Sequence, residues 1–264
     1  MAIFPLLIGA SIAAAPAARI APVPVQHPAL WVVNDGDTII YLFGTFHALD
    51  GKSDWFNNGV RHAFDQSNEL VLETVISEPV FPQIVSHPAP VQLRNLSVTP
   101  SASFLASTRM AISAGRSKGL QVDNGADMVL RRAAEADGKS VEGLETLQSQ
   151  LNMFTRMPAA GAAPTAGAPN AMNSLSDSML EMQEAWKQGD QAIFVRMLGQ
   201  LERGSPNTYR MMFTERNERW ADWIRARLQT PGTVFVAVGA GHLAGKDSVL
   251  VKLAERGIPS ARVN

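Results

Sequence analysis

Two histidines and two glutamates each stand at or just beyond an apolar, strand-like run. His47 follows Thr38 to Phe43, Glu73 lies inside Glu69 to Val75, Glu145 within Lys139 to Thr146, and His242 follows Thr233 to Val238. The surrounding triplets repeat, Gly-x-x-His at 44–47 and 239–242 and Leu-Glu-Thr at 72–74 and 144–146. A carboxylate in an apolar run has to be paired, protonated or bound to a cation, because burying it alone is expensive. Glu73 and Glu145 therefore weigh more than either histidine taken singly, since a lone histidine after a strand often only turns or caps the chain. Two imidazoles with two carboxylates suffice for a metal site, with His47 and His242 as ligands, or for an acid/base pair. Which glutamate would be ligand and which general base is left open at this level.

The elements that must position these groups read as β-turn-α-β. Leu30 to Val33 and Thr38 to Phe43 are β-type runs around an Asp-Gly turn, a hairpin signal. Trp55, Phe56, Val60, Ala63 and Phe64 recur at helical spacing, which predicts a helix from Asp54, as cap, to Gln66. Glu69 to Val75 reads as a buried strand, Gly125 to Ala136 as a helix stopped by Asp137-Gly138, and Lys139 to Thr146 as a short strand. A helix through Leu147, Leu151 and Phe154 follows. Pro158 to Pro169 has no periodicity and reads as a flexible insert. Leu175 to about Gln229 is helical in at least three pieces, broken at Gly189 and at Gly204-Ser205-Pro206, and the last piece runs from about Asn207. Thr233 to Val238 is the clearest strand, and Asp247 to Arg256 closes the pattern as a helix. Strands alternating with helices predict an α/β fold, a central sheet flanked by helices with a helical insertion between its two halves. In open sheets of this kind ligands bind at the carboxyl ends of the strands. If the four runs are parallel neighbours, the four ionisable residues meet in one crevice.

Composition narrows the function. The 264 residues carry 24 acidic and 23 basic side chains, a formal charge of −1, without the basic excess that nucleic-acid binding needs. With 46% hydrophobic and 18% charged residues the chain has material for a sizeable core. It has no cysteine, which removes disulfides, thiolate metal sites and a cysteine nucleophile, so any metal must sit on His, Asp or Glu. His-Glu-x-x-His and Gly-x-Ser-x-Gly are absent. Residues 1–18 are apolar or small and end near small residues at 13–18, which predicts a cleaved signal peptide, export to the periplasm or medium, and no membrane span in the mature protein. One domain, 28–264, then follows. His27, His62 and His87 read as ordinary surface or loop residues.

Several short motifs in fixed order carry a resemblance: Trp31, Asp35, Tyr41 to His47, Leu72-Glu73, Gly138-Lys139, Gly143 to Thr146 with Gln150, Trp186 with Gly189-Asp190, Arg216-Asn217 with Trp220, and Val238 to Leu243 with Gly245. Together they resemble the TraB/GumN family, which belongs to a wider group with the Tiki metalloproteases, the haem-binding protein ChaN and erythromycin esterase. The resemblance covers about Pro28 to the C-terminus. It implies a central sheet flanked by helices, with the paired Gly-x-x-His motifs and glutamates as the active site.

Two classes of function follow. One is a hydrolase, most simply a metal-dependent peptidase with a divalent Mn, Co or Zn ion on His47 and His242 beside Glu73 or Glu145. A metal-independent esterase, as the erythromycin esterase resemblance implies, is its variant, and the substrate would be a peptide or a small ester or amide. The other is a non-catalytic metal- or haem-binding protein of the ChaN kind, for which Tyr41 and Tyr209 are the only tyrosines. Arg216, mid-helix, has no capping role and is a candidate to hold a substrate carboxylate or orient a catalytic glutamate. Arg203, Arg210, Arg219, Arg225 and Arg227 read as surface arginines. The oligomeric state is not legible.

Overall fold

A computed structural model describes residues 27–75, 102–156 and 169–263. The predicted signal segment, His87 and nearly all of the 158–169 insert lie outside the described residues. Pro169 itself starts a helix, where its missing N–H costs nothing.

Six strands form one mixed sheet in the order β4-β3-β5-β2-β1-β6. They are β1 (Leu30–Asp35), β2 (Thr38–Thr45), β3 (Glu69–Thr74), β4 (Ser140–Glu145), β5 (Gly232–Gly239) and β6 (Ala261–Arg262). β4, β3, β5 and β2 are parallel neighbours, while β1 runs antiparallel to β2 and β6 antiparallel to β1. The hairpin closes with Asp35 opposite Thr38, and Gly36 supplies the positive φ of 59° that such a tight turn requires. β6 was not expected, because two residues are too few to show a period.

The helices are α1 (Asn58–Asp65), α2 (Ala102–Ser117), α3 (Ala126–Ala136), α4 (Leu147–Arg156), α5 (Pro169–Lys187), α6 (Ala192–Gly204), a single turn α7 (Pro206–Tyr209), α8 (Glu215–Arg227) and α9 (Val249–Glu255). α4 to α8 lie between β4 and β5 in sequence and form the expected helical insertion. Both faces of the sheet are covered, which is why the central strands read as unbroken apolar runs. On one face Phe43, Leu70, Leu72 and Phe235 pack with Trp55, Phe64, Leu130 and Trp186. On the other Ile40, Leu42, Val71, Val234 and Val236 pack with Trp220, Ile224, Val249 and Leu253. Among the described residues no helix is long and apolar enough to cross a membrane.

Two boundaries depart from expectation. α1 starts at Asn58 rather than after Asp54, because Trp55 and Phe56 serve the core instead of a helix face: Trp55 stacks on Phe43 and on Phe56, with centroids 5.6 and 5.3 Å apart. α9 starts at Val249 with Ser248 as its cap, its Oγ accepting from the Val251 N–H. Asp247 is engaged elsewhere, its carboxylate accepting from the Tyr209 hydroxyl and its carbonyl from the Asn217 amide. The expected long helix from Asn207 is interrupted by a π-helical turn over Arg210–Thr214.

Candidate active site

The carboxyl ends of the four parallel strands bring the four residues together. Glu73 sits one residue before the end of β3, Glu145 is the last residue of β4, His47 lies two residues beyond β2, and His242 lies in a 3₁₀ turn (Ala240–Leu243) directly after β5. A Cβ built on Gly239 would lie 3.0 Å from Glu73 Oε1, 3.3 Å from His47 Nε2 and 3.8 Å from His242 Cδ2. The two histidines and Glu73 thus converge over a point that only glycine leaves open.

At the centre lies Arg216. Its Nη2 donates to Glu73 Oε2 at 2.8 Å, its Nε to both oxygens of Glu145 at 3.1 and 3.0 Å, and its Nη1 to His242 Nε2 at 3.2 Å and to the Met212 carbonyl at 3.3 Å. The side chain is 4% exposed, and its guanidinium lies 4.5 Å from the Trp220 ring centroid. Of the two roles open to Arg216, the contacts observed are those with the glutamates. The π-turn just before α8 has a direct bearing on this aim. Each residue inserted into a helix turns everything after it by about 100° about the axis, and π-turns are the usual way to make such an insertion.

His242 is buried. The Asn217 amide donates through Nδ2 to the Asp247 carbonyl at 2.7 Å, which leaves its Oδ1 facing His242 Nδ1 at 2.6 Å. Nδ1 therefore carries the proton and Nε2 is the acceptor toward Arg216. Burial lowers the imidazole strongly; the pull of Glu73 opposes this, Arg216 and His47 reinforce it, and His242 is held at about 3. At neutral pH it is uncharged. Glu73 is the reverse: burial alone would raise it, but His242, Arg216, His47 and the Gly239 N–H, which donates to Oε1 at 2.6 Å, hold it at about 2.

His47 is different again. Its Nδ1 is 3.1 Å from Asp127 Oδ1, and 62% of its side chain is open to solvent. Packing around the ring disfavours the cation, yet Asp127, through its charge and hydrogen bond, and Glu73 outweigh that and the opposing Arg216, and push His47 up to about 9. Water at the open face screens part of this attraction, but the ring is a cation at neutral pH. Asp127 reaches it because α3 docks end-on against the residues after β2. The Ala126 N–H donates to the Phe46 carbonyl at 2.9 Å, and a side chain at Gly125 would collide with the His47 carbonyl. Trp186 fixes the same strand end through its indole N–H on the Gly44 carbonyl at 2.7 Å.

Some residues were not anticipated. Asp127 is the second residue of a helix, where an acidic side chain is ordinary, and nothing in the chain pairs it with a histidine 80 positions away. Asn217 belonged to a recognised motif without a role. Arg219, read as a surface residue, is 59% exposed but donates to Glu145 Oε1 at 3.1 Å. Arg227 is not a surface arginine either: it is largely buried and pairs with Glu69 at 2.7 Å. Tyr209 is buried on Asp247 at 2.9 Å and Tyr41 donates to Gln66, so their hydroxyls are committed away from His47.

The donor set can be tested for a divalent ion. A metal needs lone pairs aimed at one point, but both oxygens of Glu145, Glu73 Oε2 and His242 Nε2 already direct theirs at the Arg216 guanidinium, and Glu73 Oε1 accepts from the Gly239 N–H. Among the described residues no group of three or more His, Asp or Glu is arranged to hold an ion. The arrangement as it stands does not fit an ion shared by His47 and His242, because Arg216 fills the cation's position.

Fold and site together define an α/β protein with an arginine-centred cluster of carboxylates and imidazoles on the carboxyl edge of its parallel strands. The chain belongs to the TraB/PrgY/gumN family, whose profile matches residues 29–87 and 83–262. No curated protein and no solved structure matches it significantly.

Proposed function

We propose that the protein is a hydrolase of amide or ester bonds that activates water without a metal, using Glu73 as the base and His47 as the acid. The observation that carries this is the Asp127–His47 pair facing Glu73 across the bare backbone of Gly239. Glu73 keeps Oε1 toward the gap while Oε2 is held by Arg216, so a water between Oε1 and His47 Nε2 would meet an acceptor and a donor. Attack on a carbonyl sends the water's proton toward Glu73, and the imidazolium of His47 then protonates the leaving group; Asp127 keeps that ring turned and charged. A carboxylate held near 2 is a weak base, and the strength of the arrangement lies in the positioned cation opposite it. Glu145, 7% exposed and with both oxygens on arginines, positions Arg216 rather than reacting. The uncharged apolar start supports a place of action outside the cytoplasm.

A second reading, a divalent ion joining His47 Nε2 and Glu73 Oε1, is favoured by the approach of those two atoms at Gly239. The test is turnover of a panel of p-nitrophenyl esters and fluorogenic peptides by the purified protein, with EDTA and with added Mn, Co or Zn. Glu73→Gln and His47→Gln are each expected to lower the rate at least about a hundredfold, with no effect of chelator. Full activity in either variant would defeat the proposal, and activity that appears only with metal would transfer it to the second reading.

A further inference from the structure

The charges of the site are not distributed evenly between interior and mouth. Glu73 and Glu145 are turned inward onto Arg216, whereas Arg219, 59% exposed, meets solvent at the β4 end. Arg219 lies three residues after Arg216, on the same side of α8, and among the described residues one hydrogen bond, Nη2 to Glu145 Oε1, occupies it. That leaves most of its five donors without a partner among the described residues, on a solvent-exposed side chain braced by a Glu145 that Arg216 itself holds. Arginine so braced is suited to a carboxylate, which takes two parallel N–H bonds.

The strand order sets the distance from this cation to the chemistry. Glu145 ends β4, and the convergence of Glu73 and His47 lies over Gly239 on β5, with β3 between them. Two interstrand steps make about 10 Å. We propose, building on the hydrolase reading, that the substrate is an acyl compound carrying a carboxylate about 10 Å from the bond that is cleaved, and that Arg219 binds that carboxylate and so selects the substrate.

The test uses monoamides of straight-chain dicarboxylic acids, from glutaric to sebacic, and the same compounds with the free carboxylate capped as a methyl ester. Binding to the full chain is followed by calorimetry, and turnover by the matching p-nitrophenyl monoesters. The free acids are expected to bind about tenfold more tightly than the capped forms, best at the longer chain lengths. Arg219→Gln should erase that preference, and Arg219→Lys should restore part of it. Because Arg219 is exposed, both variants should keep the wild-type melting temperature. Equal binding of free and capped compounds, binding of neither, or a preference unchanged in Arg219→Gln would overturn the proposal. Turnover without any carboxylate preference would overturn this inference alone, whereas carboxylate-dependent binding without turnover would overturn only the hydrolase reading.

Discussion

Replacing Arg216 by Met keeps an apolar stem on Trp220 and deletes the guanidinium on which the site closes. Glu73 and Glu145, both nearly buried, would lose the cation they share, and Glu145 would keep only Arg219. Removing one partner of a buried ion pair costs about 3–5 kcal/mol. An independent figure comes from Glu73: a carboxyl held at about 2 against an ordinary 4.5 represents about 3 kcal/mol of interaction at 1.36 kcal/mol per unit, from all of its partners together. The expected loss at pH 7 is therefore about 3–4 kcal/mol, and it should depend on pH. In the native protein Glu73 adds stability above pH 4.5 that fades as pH falls toward 2. In the variant Glu73 keeps His242, His47 and the Gly239 N–H but not Arg216, so its carboxyl lies above about 2, and the loss is greatest at neutral pH and shrinks as pH falls toward 2. Urea unfolding at pH 7 and pH 2.5 measures the gap by linear extrapolation, and it should narrow by at least about 1 kcal/mol at the lower pH. A loss below about 1 kcal/mol, or the same loss at both values, would refute the electrostatic account of the site.

Other outcomes follow from the same geometry. Arg216→Ala should vacate the cation position, so Mn should raise the melting temperature of that variant by several degrees and leave the wild type unmoved, as read by a thermal shift assay. Gly239→Ala places a methyl 3.0 Å from Glu73 Oε1 and 3.3 Å from His47 Nε2; it should abolish turnover while costing no more than about 1–2 kcal/mol in urea, because the neighbours are side-chain ends. Thr45 is buried and its hydroxyl has no partner among the described residues, so Thr45→Val should stabilise the protein by about 1 kcal/mol in the same measurement. Asp127→Asn should bring His47 down from about 9 by proton NMR titration. The native pair contributes stability that is complete below pH 6.5 and lost as pH rises through about 9, so wild type and variant should differ in melting temperature at pH 6 and coincide above pH 9.

How legible the site was depended on the range of each interaction. The Gly-x-x-His and Leu-Glu-Thr repeats mark His47, His242, Glu73 and Glu145 because each ends an apolar run, and a strand's end is a local property. Yet the two Leu-Glu-Thr triplets diverge in structure. Thr146 accepts from the Ser149 N–H and caps α4, whereas the Thr74 hydroxyl is buried without a partner among the described residues. The α/β class was legible for the same local reason, since alternating periods of two and 3.6 reflect side-chain direction along one element. The start of α1 was misread because Trp55 and Phe56 satisfy a helical period but are drawn into an aromatic cluster with Phe43, 12 residues away.

What the amino-acid sequence determines by itself is the set of groups available: four strand ends with two imidazoles and two carboxylates, no thiol, and an arginine in a helix that has no capping use for it. Tertiary structure decides which of them meet and in which charge state. The strand order β4-β3-β5-β2 sets the groups in a row. The π-turn precedes the helix that carries Arg216 into the position a metal would need, and α3 docked on the residues after β2 brings Asp127 to His47. Protonation is decided at the same level, because two imidazoles of identical chemistry are driven in opposite directions, His242 to about 3 by burial beside Arg216 and His47 to about 9 by Asp127. Such shifts arise from desolvation and from charges distant in sequence, and neither is written in the residues next to a histidine.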